Sequence, residues 1–236
     1  MTGRLLLEYD GTDFAGWASQ PGLRTVQETV EGALATVLRR DVTLTVAGRT
    51  DRGVHARGQV ASHDGDPAPL RNLNALLPAD VAVLASEAAP DGFDARRDAR
   101  SRTYRFRLYT RAAPSPFEQR RALWWPRPLD REALDRCAAA LGGRHDFTAF
   151  TPSETDHVRF ERDVFRAEWV DEPGDVLAFW IEADTFMRHM VRVLVGTMLE
   201  GVEPERFAEL LQGRPRSEAG ATAPAHGLYL ESVAYS

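Results

Sequence analysis

Residues 47–58 bring glycines, arginines, a histidine and a carboxylate into one short loop. Glycines at 48, 53 and 58 allow the backbone to adopt tight or left-handed conformations. Asp51 lies between Arg49 and Arg52, and nearby opposite charges favour the ionised form of a carboxyl group. An ionised carboxylate suits a nucleophile or a base better than a proton donor. The loop therefore predicts carboxylate chemistry at Asp51, with a solvated loop and a surface ion pair as the plainer alternative.

The composition limits the chemistry that the rest of the chain can supply. The 236 residues include 29 Lys+Arg and 35 Asp+Glu, a formal net charge of −6, and every basic residue is an arginine. Without lysine, Schiff-base and P-loop lysine chemistry are excluded. With Cys137 as the one cysteine, an intrachain disulfide and a cysteine-rich zinc site are excluded as well. No apolar run approaches about 18 residues and no signal-peptide pattern is visible, so we expect a cytoplasmic protein without a membrane partner.

The net charge hides a local concentration of arginine. Residues 95–111 contain seven arginines and one acidic residue, Asp98, whereas acidic residues concentrate at 156–175 and 200–209. Such segregation predicts a basic surface for an anionic partner beside an acidic remainder. An acidic average charge is therefore compatible with binding to nucleic acid.

Apolar residues recur with the periods of strands and helices along the whole chain. Thr25 and Glu28 have the spacing of a capping box in front of a helix, and Asp130 can cap a second helix. A longer helix from about 186 to 200 would place Arg188 and Arg192 on one face. Further predicted elements are a helical turn at 73–77, a short helix from Pro204 to just before Gly213, and strands at 4–10, 42–46, 58–63, 79–84, 101–109, 164–170, 176–183 and 229–235.

These elements predict an α/β (α+β) fold. Both halves mix strands and helices without strict βαβ alternation, which favours sheets packed against helices. Pro114 and Pro116 interrupt the pattern, so we predict an N-terminal domain at 1–112 that carries the loop and a C-terminal domain at 113–236. The pair Trp124–Trp125 is predicted to be a buried strand pair, with an exposed stacking patch as the alternative.

Two segments carry a resemblance to a known family. YDGTDFAGW at 9–17 and AGRTDRGVHA at 47–56 closely resemble two signatures of the bacterial tRNA pseudouridine synthase A family. Further similar blocks follow in the family's order over nearly the whole chain. They are LNALLPADV at 73–81, FDAR at 93–96, RTYRF at 102–106, HDFTAF at 145–150, FMRHMVR with VGT at 186–197, and AGATAPAHGLYL at 219–230.

The resemblance implies an isomerase that converts uridine to pseudouridine at positions 38, 39 and 40 of the tRNA anticodon stem-loop. It implies that Asp51 is the essential catalytic carboxylate, which initiates breakage of the uracil–ribose bond before the base rotates and rejoins through carbon. The implied partners are the anticodon arm of tRNA and a second copy of the chain in a homodimer. No metal and no organic cofactor are implied. The implied fold has mixed or antiparallel sheets with helices on their outer side, and residues 113–236 complete the active-site cleft.

The resemblance also assigns roles to residues beyond Asp51. Arg49 is implied to hold the flipped nucleotide and the loop, and Tyr104 to stack on the target base. Arg192 is implied to pair with the aspartate, and Leu228 to pack beside the uracil. Stacking by Tyr104 agrees with a general requirement, because an enzyme that acts on a base must take it out of the stack and replace the lost contacts.

Two alternatives belong to other functional classes. The chain could be an RNA-binding module or tRNA chaperone that has lost the chemistry, although the intact Arg49, Asp51 and Tyr104 argue against this. It could also be a hydrolase that uses Asp51 with His55, which would require a residue to position water, and we identify none. We interpret His55 as part of the loop structure or as an RNA contact.

Overall fold

A computed structural model describes residues 1–155 and 158–235, and the chain forms two compact units. Unit 1 contains residues 1–100 together with the chain from Tyr229 onward, and unit 2 contains Ser101–Leu228. The predicted α/β (α+β) fold class is confirmed, since both units combine strands with helices. The predicted domains, 1–112 and 113–236, divide the chain at a different residue and stay a prediction.

The described residues contain ten strands and five α-helices. In chain order the strands are β1 (Thr2–Tyr9), β2 (Thr45–Val46), β3 (His55–Asp64), β4 (Val81–Ala89), β5 (Ser101–Tyr109), β6 (Leu123–Trp124), β7 (Gly143–Asp146), β8 (Glu161–Glu172), β9 (Val176–Ala183) and β10 (Leu228–Ala234). The helices are α1 (Val26–Leu38), α2 (Leu70–Leu76), α3 (Arg131–Ala139), α4 (Met190–Leu199) and α5 (Pro204–Leu210). The predicted strands at 101–109 and 176–183 match β5 and β9 at both ends.

The sheet of unit 1 has the strand order β4-β1-β3-β10. β1 pairs antiparallel with β3 and β4, and its side chains Leu5 and Leu7 are fully buried. β10 runs parallel to β3. β2 also pairs with β3, through Val46 and Ala61. The loop that follows β2 and precedes β3 therefore joins two paired strands, which fixes both of its ends.

Helix α1 forms where the sequence predicts it. The Thr25 hydroxyl accepts a hydrogen bond from the Glu28 N–H, one of the donors that a helix leaves unpaired at its start. Val26, Val30 and Leu34 recur at helical spacing and are fully buried. The helix is followed by Arg39 in the left-handed conformation, which ends the hydrogen-bonding pattern.

The sheet of unit 2 has the order β5-β9-β8-β7 with antiparallel neighbours, and β6 pairs parallel with β5. Alternation along β5 predicts two different faces, yet Arg102 and Arg105 are buried together with Tyr104. Both arginines have partners inside the unit. Arg102 donates to the Asp184 carbonyl at 2.8 Å, and Arg105 forms an ion pair with Glu172 at 3.1 Å. Pairing allows charged side chains to be buried.

Three predicted features are wrong for identifiable reasons. The strand predicted at 42–46 is reduced to β2, because the Leu44 N–H donates to the Glu31 carboxylate at 2.8 Å. The helix predicted from 186 begins at Met190, because the preceding His189 has a φ of 62° and a left-handed residue cannot continue a helix.

Arg188 consequently lies outside α4 and does not share a helix face with Arg192.

The third wrong prediction concerns the tryptophan pair. Trp124 is 42% exposed, so the pair is not buried as a whole.

Within residues 1–155 and 158–235, no helix has the length and apolar character that crossing a membrane would require.

Two helical glycines should respond in opposite ways to a methyl group. A Cβ at Gly196 in α4 would lie 1.9 Å from the Ala221 carbonyl oxygen, whereas a Cβ at Gly32 in α1 would meet no atom within 4 Å. We expect Gly196→Ala to lower the free energy of unfolding by about 1–3 kcal/mol through overpacking. Gly32→Ala should raise it by about 0.5–1 kcal/mol, because alanine loses less backbone entropy in a helix.

Urea unfolding of both variants beside the unsubstituted chain provides the measurement. If Gly196→Ala proved as stable as the unsubstituted chain, the close packing of residue 221 on α4 would be contradicted.

Candidate active site

A buried set of hydrogen-bonded polar side chains holds the loop at 47–54 in place. We call this set the Tyr9 network and define it as Tyr9, Thr50 and Gln59. The Tyr9 and Thr50 hydroxyl oxygens lie 2.8 Å apart. Gln59 Nε2 donates to the Gly48 carbonyl at 2.7 Å and to the Tyr9 hydroxyl at 3.3 Å. All three members are buried. The network therefore fixes the loop backbone on both sides of Arg49 and immediately before Asp51.

The segment at 9–17, which begins with Tyr9, also packs on the loop through its backbone. A Cβ at Gly11 would lie 2.0 Å from the Val54 carbonyl oxygen, and one at Gly16 would lie 2.9 Å from that of Thr50. Gly16 also has a φ of 107°, which side chains disfavour. The Trp17 N–H donates to the Thr50 carbonyl at 3.0 Å. Glycine at these two positions is what lets the segment approach the loop backbone so closely.

His55 is part of this packing. Its ring is 2% exposed and stacks on Tyr229 with 4.6 Å between centroids. The Gly11 N–H donates to His55 Nδ1 at 3.1 Å, and an Asp10 carboxylate oxygen lies 3.1 Å from the same nitrogen. The contacts support the interpretation of His55 as loop structure, since its ring is directed into unit 1.

Asp51 lies in a turn at the exposed side of the loop. The Val54 N–H donates to the Asp51 carbonyl at 3.1 Å, and Gly53 supplies a φ of 79° between them. The Asp51 residue is half-buried, and Arg49 and Arg52 are exposed. The turn thus carries a half-buried carboxylate residue on a loop whose backbone is fixed by buried groups.

The other predicted site residues lie in unit 2. Tyr104 on β5 is 8% exposed, and its ring meets Phe186 edge-on with 5.0 Å between centroids. Leu228 is buried at the start of β10. Arg192 lies in the first turn of α4, where its Nε donates to the Ala223 carbonyl at 2.8 Å. The Ala223 N–H donates back to the Arg192 carbonyl at 3.0 Å.

Residues 219–223 are attached to α4 by further hydrogen bonds that the sequence interpretation missed. The Gly220 N–H donates to the Thr197 hydroxyl at 3.0 Å, and the Ala221 N–H donates to the Glu200 carboxylate at 2.8 Å. Thr197 ends the VGT block that carries part of the resemblance, and Glu200 lies three residues after it. These contacts fix the segment that orients Arg192 and leads to Leu228.

Comparison with known proteins agrees with the motifs. Residues 137–236 match the family model described as tRNA pseudouridine synthase. A tRNA pseudouridine synthase A from Myxococcus xanthus is 41% identical over 98% of this chain and 91% of its own length. Proteins of the same name from Frankia casuarinae and Moorella thermoacetica are 46% and 42% identical, again over 98% of this chain, and over 88% and 98% of their own lengths.

The chain belongs to the tRNA pseudouridine synthase A family. The predicted family and the predicted enzyme class, an isomerase, are thereby confirmed. A crystal structure of a Cbf5-Nop10-Gar1 complex also matches 94% of this chain and 56% of that one, at 10% identity and a TM-score of 0.37. So weak a structural match adds nothing to the assignment.

Because Tyr9 is buried in this network, we expect the stability of the protein to fall at alkaline pH. Burial raises the pKa of Tyr9 from 10.0 to about 12, although hydrogen bonds with Thr50 and Gln59 oppose the shift. The unfolded chain releases the phenol proton above about pH 10, whereas the folded chain retains it until about pH 12. The stabilising contribution of the neutral phenol is therefore complete below pH 10 and is lost between pH 10 and 12.

We expect Tyr9→Phe to lower the free energy of unfolding at pH 7 by about 1–3 kcal/mol, because buried partners lose their hydrogen bonds. The difference between wild type and variant should shrink as the pH rises through 10 to 12, by up to about 3 kcal/mol. Urea unfolding at several pH values measures it. The other four tyrosines are present in both proteins, so their titration cancels in the comparison. If the difference in free energy of unfolding did not change between pH 10 and 12, the raised pKa of Tyr9 would be refuted.

Proposed function

We propose that this protein converts uridine to pseudouridine at positions 38, 39 and 40 of the tRNA anticodon stem-loop, with Asp51 as the catalytic carboxylate. The observation that carries the proposal is the position of Asp51 in a turn whose backbone is held by the Tyr9 network and by residues 11–17. A catalytic group must be held close to its productive geometry by its supports. Here those supports are buried, and Asp51 itself is half-buried.

The proposed reaction needs no redox partner. The bond between uracil N1 and ribose C1′ breaks, the base rotates, and C5 bonds to C1′. N1 gains a proton while C5 loses one, so the product is an isomer of the substrate. An ionised Asp51 supplies the nucleophile or base that initiates cleavage of the first bond.

The remaining roles concern the extracted base. Tyr104 would stack on the uracil, which is worth about 1–3 kcal/mol per base. Its ring is held on β5 and against Phe186, so little rotamer freedom is lost on binding. Arg49 is exposed and would hold the flipped nucleotide, because a planar guanidinium can bond a phosphate through two N–H groups. Arg192 would pair with the catalytic aspartate, and Leu228 would pack beside the base.

We also infer that the enzyme acts on tRNA in the cytoplasm as a homodimer, without a metal or an organic cofactor. Support comes from the ordered blocks of family resemblance and from relatives named tRNA pseudouridine synthase A over nearly the full chain. A fully retained loop favours an active enzyme over an RNA-binding module that has lost the chemistry.

Asp51→Asn and Asp51→Ala should abolish turnover while tRNA binding survives, because the chemistry needs a carboxylate. The measurement is tritium release from an anticodon arm labelled at uridine C5, with filter binding of tRNA alongside. Asp66→Asn, which alters an exposed carboxylate away from the loop, is the matched control. Full release by Asp51→Ala would refute the catalytic role. No release by the unsubstituted protein, with tRNA binding intact, would favour the RNA-binding module.

Tyr104→Phe should retain most activity, because the ring that stacks is kept. Tyr104→Ala should lose about 1–3 kcal/mol of base stacking, roughly 5- to 150-fold in kcat/KM. Since Tyr104 is buried, urea unfolding must first show that the alanine variant is folded under the assay conditions. Equal activity of the two variants would remove the stacking role.

A further inference from the structure

Unit 2 contains a cavity of about 590 Å³ at the end of β5. Tyr109, Trp124, Pro114 and Pro116 contribute ring surfaces to its lining, and Glu118, Gln119 and His226 contribute polar groups. The volume lies in the range of sites that hold small organic molecules. None of the residues to which the family resemblance assigns a role lines this cavity.

Trp124 gives the cavity a fixed and accessible aromatic surface. The residue pairs with Tyr109 between β6 and β5, and its indole Nε1 donates to the Arg111 carbonyl at 2.9 Å. Its side chain nevertheless remains 42% exposed. An indole that is oriented by the protein and open to solvent is a suitable platform for a nucleobase, because every base has a π-face.

The surroundings of the cavity favour an anion. The acidic residue of the lining, Glu118, is paired with Arg107 at 2.9 Å. Residues 109–127 contain no other acidic residue and four arginines, which lie in the chain next to the lining residues. The Arg111 guanidinium lies 5.3 Å from the Tyr109 ring centroid and donates to the Pro114 carbonyl at 3.3 Å. Arg127 similarly covers the Trp125 ring at 5.1 Å. Arginines interleaved with aromatic rings are typical of surfaces that bind single-stranded nucleic acid.

We propose that this cavity binds an unpaired nucleotide of the RNA substrate, with its base on Trp124 and its phosphate at Arg111. The Gln119 amide offers a donor and an acceptor to the edge of the base. The inference rests on the proposed function, because it takes RNA as the ligand. The nucleotide is distinct from the target uridine. Tyr104 and Tyr109 are five residues apart on β5, roughly 17 Å along the strand, and their side chains leave opposite faces.

The test compares tRNA affinity at fixed salt for Trp124→Ala, Trp124→Phe and the unsubstituted chain. Loss of one stacked base predicts that Trp124→Ala weakens binding about 5- to 150-fold, whereas Trp124→Phe keeps a ring and weakens it about threefold or less. Phe165→Ala is the matched control, because Phe165 is 59% exposed on β8 and does not line the cavity.

A second variant tests the phosphate contact. Arg111→Gln should reduce the slope of log K against log salt by about one. Arg131→Gln, at a residue paired with Asp135 and Asp171, is the control for arginine removal. Sedimentation of every variant reports the oligomeric state.

Two results would overturn the nucleotide site while leaving the proposed function intact. One is affinity of Trp124→Ala within twofold of the unsubstituted protein. The other is weaker binding that appears only together with a changed sedimentation coefficient, which would make the patch an interface between copies of the chain. Failure of the unsubstituted protein to bind tRNA would instead overturn both proposals, whereas tRNA binding without tritium release would overturn the proposed function alone.

Discussion

Close backbone contact between residues 9–17 and the loop at 47–54 is the constraint on which the candidate active site depends. A loop with a charged exposed side has few apolar contacts to hold it, so it must be fixed through its backbone. Here the fixing groups come from outside the loop, through the Tyr9 hydroxyl, the Gln59 amide and the Trp17 N–H. Gly11 and Gly16 lack the side chains that would keep the two segments apart.

Unit 2 uses the same physical solution for a different irregular segment. Residues 219–223 lie against α4, where Gly196 leaves room for a carbonyl oxygen. The Thr197 hydroxyl and the Glu200 carboxylate accept the segment's N–H groups, and Arg192 exchanges hydrogen bonds with Ala223. In both units a predicted site residue therefore depends on a glycine contact and on side-chain hydrogen bonds to the backbone. Such positions tolerate little change in volume, because protein interiors are closely packed.

The structural features that depend on residues close together in the sequence are the ones that the sequence predicts. Thr25 caps α1 from three residues away, and the apolar residues that follow it recur at helical spacing, so the sequence alone predicts this helix. The start of α4 was not predictable, because the left-handed His189 carries no signal in its residue type. The shortened β2 depends on a bond between Leu44 and Glu31, which lie 13 residues apart and in different elements.

The same distinction applies to the candidate site. The predicted site residues all lie in recognisable motifs, and for this reason the sequence alone indicates them. They are Asp51, Arg49, Tyr104, Arg192 and Leu228. The Tyr9 network was missed, since Tyr9 and Gln59 are 50 residues apart and each is compatible with an ordinary buried strand position. The sequence favours a buried strand pair at Trp124 and Trp125 over an exposed stacking patch, and residue type does not report which face of the indole a cavity leaves open.

The pairing of β10 with β3 has a consequence for how the protein is made. His55 stacks on Tyr229, and the backbone next to it pairs with Leu230, so residues synthesised after all of unit 2 complete the packing beside the loop. A nascent chain that has emerged only as far as residue 100 therefore leaves His55 and Ala56, at the start of β3, without their β10 partners and the His55 ring without Tyr229. The packing of β10 on the start of β3, next to the candidate loop, is therefore completed only late in translation.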